Sequence, residues 1–136
     1  MNIEQNPKVL VASPTYRGMK YCHNEFFQRI KELDYDHYDI LIIDNSEDDE
    51  YFNKLKKEDK IILIKDYTNE KNKILRLVSS RNKMIEYALD NNYDYILMMD
   101  SDVIPPKNII KELINCNKDI VSVLLGDICP TPKIIF

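Results

Sequence analysis

The chain has 136 residues, enough for one domain (1–136) with a real core, and its composition is ordinary for a globular protein: 44% hydrophobic and 31% charged. A net charge of −4 offers no basic footprint, which argues against bulk nucleic-acid binding. No apolar run approaches the length of a membrane span, and Met1 to Asn6 lack the charged and apolar regions of a signal peptide.

Two residue types sharpen this frame. Cys22, Cys116 and Cys129 are odd in number and show no C-x-x-C spacing, which suits a reducing cytoplasm and argues against a disulfide framework or a structural zinc site. Gly18 and Gly126 are the only glycines. A P-loop or dinucleotide fingerprint needs several, so that backbone amides can approach phosphate. Any bound phosphate must therefore be neutralised by a metal or by Arg and Lys side chains.

In chain order, Lys8 to Ser13 is nearly continuous in apolar residues, as strands of parallel sheets are. Pro14 to Gly18 forms the loop at its carboxyl end. A helix over Tyr21 to Lys31 carries Cys22, Phe26 and Ile30 on one stripe. Tyr38 to Ile43 is a second strand, ending in the polar loop Asp44 to Asp49. A short helix follows with Tyr51, Phe52 and Leu55 inward. Ile61 to Ile64 is a third strand.

The longest helix is expected from Lys73 to Asp90, with Ile74, Leu77, Val78, Met84, Ile85, Ala88 and Leu89 on its buried face. Arg81 lies in the middle of that stripe and needs a partner, because an unpaired buried charge is too costly. The next strand spans roughly 17–20 Å. At about 1.5 Å per residue the preceding helix climbs roughly twelve residues to regain that height. Arg81 thus lies near the level of Asp100 and Asp102, with Arg76 a turn above. A plain salt bridge and a phosphate or ligand role remain equally open for Arg81.

The fourth strand centres on Ile96 to Met99 and ends in Asp100-Ser101-Asp102. Two acids at the carboxyl end of a buried strand stand where open α/β sheets bind ligands. Hard cations such as Mg²⁺ and Mn²⁺ take one or two carboxylates plus substrate phosphates. Asp100 and Asp102 are therefore read as metal ligands; the alternative is that they cap the next helix. Pro106 suits the first position of that helix, with Ile109, Ile110, Leu113 and Ile114 facing the core. Asp119 to Leu125 is a fifth strand. The alternation implies an α/β, Rossmann-like, open and mostly parallel sheet with helices on both faces.

These segments resemble the GT-A-fold glycosyltransferases of the family 2 type. Ser13-Pro14-Thr15-Tyr16 resembles the family's opening strand and P-T-Y turn, and Asp44 to Asp48 resembles its D-x-S-x-D loop. Ser80 to Ala88 resembles its A-R-N-x-G-x-x-x-A helix, with Met84 where glycine is common. Asp100-Ser101-Asp102 matches the D-x-D motif. The resemblance covers most of the chain. It implies a transferase that binds a nucleotide-diphosphate sugar through Mn²⁺ or Mg²⁺ and passes the sugar to an acceptor. It implies that Pro14, Thr15 and Tyr16 line the base pocket and that Asp44 binds base or ribose. Arg76 would lie near base or diphosphate, Asp100 would contact ribose or metal, and Asp102 would hold the metal.

Family domains usually continue into an acceptor-binding half carrying the catalytic base. The resemblance supplies no such base here, and three readings stay open: a truncated chain, a naturally reduced protein, or a donor-binding module whose acceptor site an oligomer or partner domain completes. Two other readings stay open: a non-catalytic nucleotide-sugar-binding or assembly module, and a nucleotidyltransferase-like enzyme, which normally needs a glycine-rich loop. His23 is expected to be a surface or satisfied core residue, and His37 belongs at the opposite edge of the sheet. A thiol nucleophile at Cys116 or Cys129 has no histidine nearby in sequence.

Overall fold

The computed structural model describes residues 6–123. Its centre is β1 (Val9–Thr15), in which all seven residues are buried. A strand with this pattern must be covered on both faces, and it is. Chain order then gives α1 (His23–Lys31), β2 (Tyr38–Asp44), α2 (Glu50–Leu55), β3 (Ile62–Lys65), α3 (Lys73–Asp90), β4 (Tyr95–Met98) and α4 (Ile109–Asn115). The four strands are parallel in the order β3-β2-β1-β4. The chain steps outward from β1 to β3, then α3 carries it back across the sheet to β4. The order reverses between β1 and β4, and that switch point is where ligands enter open α/β sheets.

Alternate residues of the central strands feed two cores. Val9, Val11, Ile40 and Ile42 pack with Phe26, Phe27 and Ile30 of α1, Tyr51 and Leu55 of α2, and Ile109 and Ile110 of α4. Leu10, Ala12, Leu41 and Ile43 turn the other way, onto Met84 and Ala88 of α3. Each such fully buried aliphatic or aromatic side chain contributes about 1.5–3 kcal/mol.

Pro14 shows how β1 and β4 part. β4 pairs with β1 only from Val9 to Ala12. Met99 N donates to Ala12 O at 3.1 Å on the β4 side, and Asn45 N donates to Thr15 O at 3.0 Å on the β2 side. Pro14 follows the alternation of Ala12, so its missing N–H faces the side where the ladder has ended. The site costs no hydrogen bond.

Four expectations are corrected. First, α3 has the expected limits and buries Met84 and Ala88 as expected, but Ser80 completes the buried stripe and Ile74, Val78, Ile85 and Leu89 do not belong to it. Its buried residues are Ser80, Met84 and Ala88. Ile74 is 72% exposed and Leu89 73%, and Val78 and Ile85 are also exposed. The i, i+4, i+8 stripe fits onto the sheet because small Ser80 faces the buried Asp66 at 3.0 Å. Arg81 is consequently exposed, not buried. Second, the first helix is α only from His23; Arg17–Cys22 is a 3₁₀ helix. Third, α4 starts at Ile109 with Asn108 as N-cap, because Pro106 O accepts Ile109 N in a turn that precedes the helix. Fourth, residues 119–123 carry no strand, and the sheet has four strands among the described residues. The apolar run has a strand's composition, but composition alone does not create a ladder. Leu124 and Leu125 of the expected fifth strand, and Cys129, lie outside the described residues.

Candidate functional site

Where β1 and β4 separate, a cleft of about 290 Å³ opens at the carboxyl edge. Pro14, Thr15, Tyr16 and Met19 come from the end of β1, and Asn45 from the end of β2. Lys73, Arg76 and Leu77 come from the start of α3, and Asp100, Ser101 and Asp102 from the loop after β4. Of the eight residues singled out from sequence, Pro14, Thr15, Tyr16, Arg76, Asp100 and Asp102 line this one cleft; Asp44 and Arg81 do not.

Each wall is built locally. Tyr16 lies over Gly18: a Cβ at Gly18 would stand 2.4 Å from the Tyr16 ring, so glycine permits that ring position. The start of α3 is fixed by Asn72, whose side chain accepts from Ile74 N at 2.9 Å and Leu75 N at 3.4 Å. An N-cap of this kind contributes about 1 kcal/mol. Lys73 and Arg76 are three residues apart and so share a face, which explains their joint arrival at the cleft. Cys22 Sγ sits 3.2 Å from Ser101 O and ties the 3₁₀ helix to the acidic loop.

Asp44 lies beneath the cleft and is fully buried. Its Oδ1 accepts from Ser46 N at 3.0 Å and Ser46 Oγ at 2.6 Å, and its Oδ2 from Lys65 Nζ at 3.1 Å. Lys65 also donates to Ser46 O at 2.8 Å and Asp48 O at 2.7 Å. This closed cluster shapes the loop after β2. Ser46 Oγ further accepts from Arg17 N at 2.8 Å, joining that loop to the one after β1.

Arg81 stands at the height expected for it. Its Nη2 donates to Asp100 Oδ1 at 3.3 Å, with both side chains about half exposed. Such an exposed pair is worth at most about 1 kcal/mol, so it orients Asp100 more than it stabilises the fold. The Arg76 guanidinium donates to Asn45 O and pairs with Glu47 at 3.4 Å. It also borders a second cleft of about 540 Å³ at the ends of β2 and β3.

His23 is a satisfied core histidine. Its Nδ1 faces Tyr51 OH at 2.9 Å and its Nε2 faces Glu58 at 2.7 Å. Burial pushes the Tyr51 hydroxyl up to about 12. Burial would also raise the Glu58 carboxyl, but hydrogen bonds and charge from Lys31 and His23 outweigh it and hold the group below its ordinary value. His37 contacts Asn6 O, away from the cleft.

Among the described residues, no group of three or more His, Cys, Asp and Glu side chains converges as a metal cage. Two carboxylates alone fit a cation that completes its shell with ligand oxygens and water, the habit of Mg²⁺. Ser101 Oγ, between them in sequence, is buried without a hydrogen-bond partner. Asn45, Lys73, Met19, Leu77 and Ser101 were not singled out from the sequence. Lys73 had a usable signal, the Asn72 cap one residue earlier; the others depend on how the loops fold.

The architecture defines an open α/β protein with a cleft at the switch point of a parallel sheet. The profile of Glycosyl transferase family 2 matches residues 11–123, and the chain belongs to that family. The crystal structure of S. aureus TarS matches with a TM-score of 0.55 at 19% identity, covering 79% of this chain and 19% of that one. The crystal structure of S. aureus TarS 1–349 matches with a TM-score of 0.58 at 21% identity, covering 79% of this chain and 31% of that one. The fold is thus that of GT-A glycosyltransferases, and the chain spans 19% and 31% of these two structures. Comparison with curated proteins gives no match. Among the described residues no helix is long and apolar enough to cross a membrane.

Proposed function

We propose that this chain is the donor-binding part of a glycosyltransferase, holding a nucleotide-diphosphate sugar in the switch-point cleft for transfer to an acceptor. The observation that carries the reading is the meeting, in one cleft, of two carboxylates after β4 with Lys73 and Arg76 at the start of α3. Pro14 and Tyr16 offer apolar and aromatic surface to a base. Thr15 lies between them. Lys73 and Arg76 suit the diphosphate, because their charges and the positive end of the α3 dipole favour anions. Asp100 and Asp102 would hold Mn²⁺ or Mg²⁺, and Arg81 would fix the rotamer of Asp100. When bound, the cation supplies Lewis-acid stabilisation of the departing diphosphate. Asp44 acts on the donor indirectly, by setting the loop that carries Asn45.

The acceptor and the group that activates it belong to a partner domain, a second copy or further chain in this reading. A non-catalytic donor-binding module is the second reading, and turnover separates it from the first. We place the protein in the cytoplasm, where Cys22 and Cys116 stay as thiols.

Calorimetry with UDP and GDP tests the proposal. Binding is expected with Mn²⁺ or Mg²⁺ and not in EDTA, and Asp102→Ala should weaken it by about tenfold or more. Equal affinity in EDTA, or undiminished affinity in Asp102→Ala, contradicts it. Donor hydrolysis by the chain favours an enzyme; binding without turnover favours the module.

A further inference from the structure

We infer that two copies of this chain pair through the outer face of α3, helix against helix and antiparallel, about a two-fold axis at the middle of that helix. The inference does not depend on what the cleft binds.

α3 carries two stripes. Ser80, Met84 and Ala88 face the sheet. At about 100° per residue, Ile74, Val78, Ile85 and Leu89 form a second stripe, roughly 110° round the helix from the first. These four are 72%, 47%, 44% and 73% exposed, and Leu75, at 47%, borders them. The core leaves this stripe open. Lys73, Arg76 and Leu77, which line the cleft, lie roughly 90° or more round the helix from it. A partner seated on the outer stripe therefore leaves the cleft accessible.

The spacing of the stripe selects its occupant. α3 runs Lys73–Asp90, so its midpoint falls between Arg81 and Asn82. Ile74 and Leu89 stand equally far from that point, and so do Val78 and Ile85. A stripe with this symmetry complements its own antiparallel copy: Ile74 meets the partner's Leu89, and Val78 meets the partner's Ile85. A two-fold interface requires such self-complementarity, because every contact is made twice. The charges agree with it. Arg81 is the charged residue nearest the stripe, and Asp100 pairs with it at 3.3 Å. Two guanidiniums thus approach the axis together with two carboxylates.

The area is sufficient for a weak dimer. The five apolar side chains expose roughly 500 Å² per copy, so a pair buries about 1,000 Å² from them alone, the lower bound for a specific interface. A Kd of about 1–100 µM follows, and denaturation at sub-micromolar protein reads the monomer.

Sedimentation equilibrium of the full chain, from about 1 to 200 µM, should show monomer passing into dimer. Ile85→Glu puts a carboxylate on the stripe of both copies and should raise the Kd by about tenfold or more, with an unchanged far-UV circular dichroism spectrum because the position is exposed. A short bis-maleimide reads the register in a Cys116→Ser/Cys129→Ser background, where the remaining Cys22 is buried. Chains carrying Ile74→Cys mixed with chains carrying Leu89→Cys should give linked dimers. Either variant alone should not, because like positions stand roughly 22 Å apart in the antiparallel pair. A monomer at every concentration overturns the inference and leaves the stripe to a foreign partner or a further segment of chain. A dimer untouched by Ile85→Glu, or linked dimers from either cysteine variant alone, overturns it as well.

Discussion

Lys65→Met is the sharpest test of how the loop after β2 is held. Lys65 is 4% exposed at its side chain and Asp44 is 0%, with 3.1 Å between Nζ and Oδ2. Removing the ammonium leaves Ser46 N and Oγ on Oδ1 but no donor on Oδ2. Breaking one side of a buried pair costs about 3–5 kcal/mol, because the other charge stays dry and uncompensated. Domains are stable by only about 5–15 kcal/mol, so this is a large fraction of the whole. In urea denaturation at pH 7, with a slope of about 1–3 kcal/mol per molar, the midpoint should fall by roughly 2 M. The double variant Asp44→Asn/Lys65→Met carries neither charge and should recover much of the loss. A loss below about 1 kcal/mol in Lys65→Met would refute the reasoning, since it would mean that water reaches Asp44.

Met84→Ala should cost about 2–5 kcal/mol, whereas Ile74→Ala and Leu89→Ala should change stability by no more than about 0.5 kcal/mol; urea midpoints of the three decide which face of α3 is buried. The lowered Glu58 carboxyl makes a signed prediction. Its stabilisation is complete above the ordinary carboxylate value of about 4.3 and disappears as pH falls through the lowered one. Glu58→Gln should therefore be less stable than the parent at pH 6, with the gap closing below pH 4 in urea titrations. Arg76→Ala should lower UDP affinity by about tenfold at low salt, and by less in high salt if its role at the diphosphate is electrostatic.

The places of β1 to β4 were legible because buried parallel strands leave continuous apolar runs, but β1 continues through Pro14 and Thr15, which the sequence put in a loop. The limits of α3 were legible because Asn72 caps one end, and Asn91 and Asn92 leave the helix at the other, Asn92 at a φ of 57°. The face of α3 was not legible. Apolar periodicity marks two stripes on this helix, and only contact with the sheet selects the one through Ser80. The height of Arg81 followed from helix rise and strand length alone; its exposure did not, since that depends on the rotation of α3. Asp44 stood out as an acid at a strand end, but the pairing with Lys65 joins neighbouring parallel strands, and register cannot be read from either strand by itself. Asn45 and Ser80 are 35 residues apart, and neither segment shows by itself that the two side chains meet. Their relation exists only once α3 lies across β2.

The claim on which the account depends is that a divalent cation sits between Asp100, Asp102 and a nucleotide diphosphate in the switch-point cleft. Paramagnetic broadening by Mn²⁺ in amide NMR spectra tests it most directly. With UDP present, resonances of Thr15, Asn45 and Ser101 should broaden at sub-stoichiometric Mn²⁺ while that of His37 stays sharp, and Asp102→Ala should abolish the effect. Broadening centred elsewhere, or unchanged in Asp102→Ala, would contradict the account.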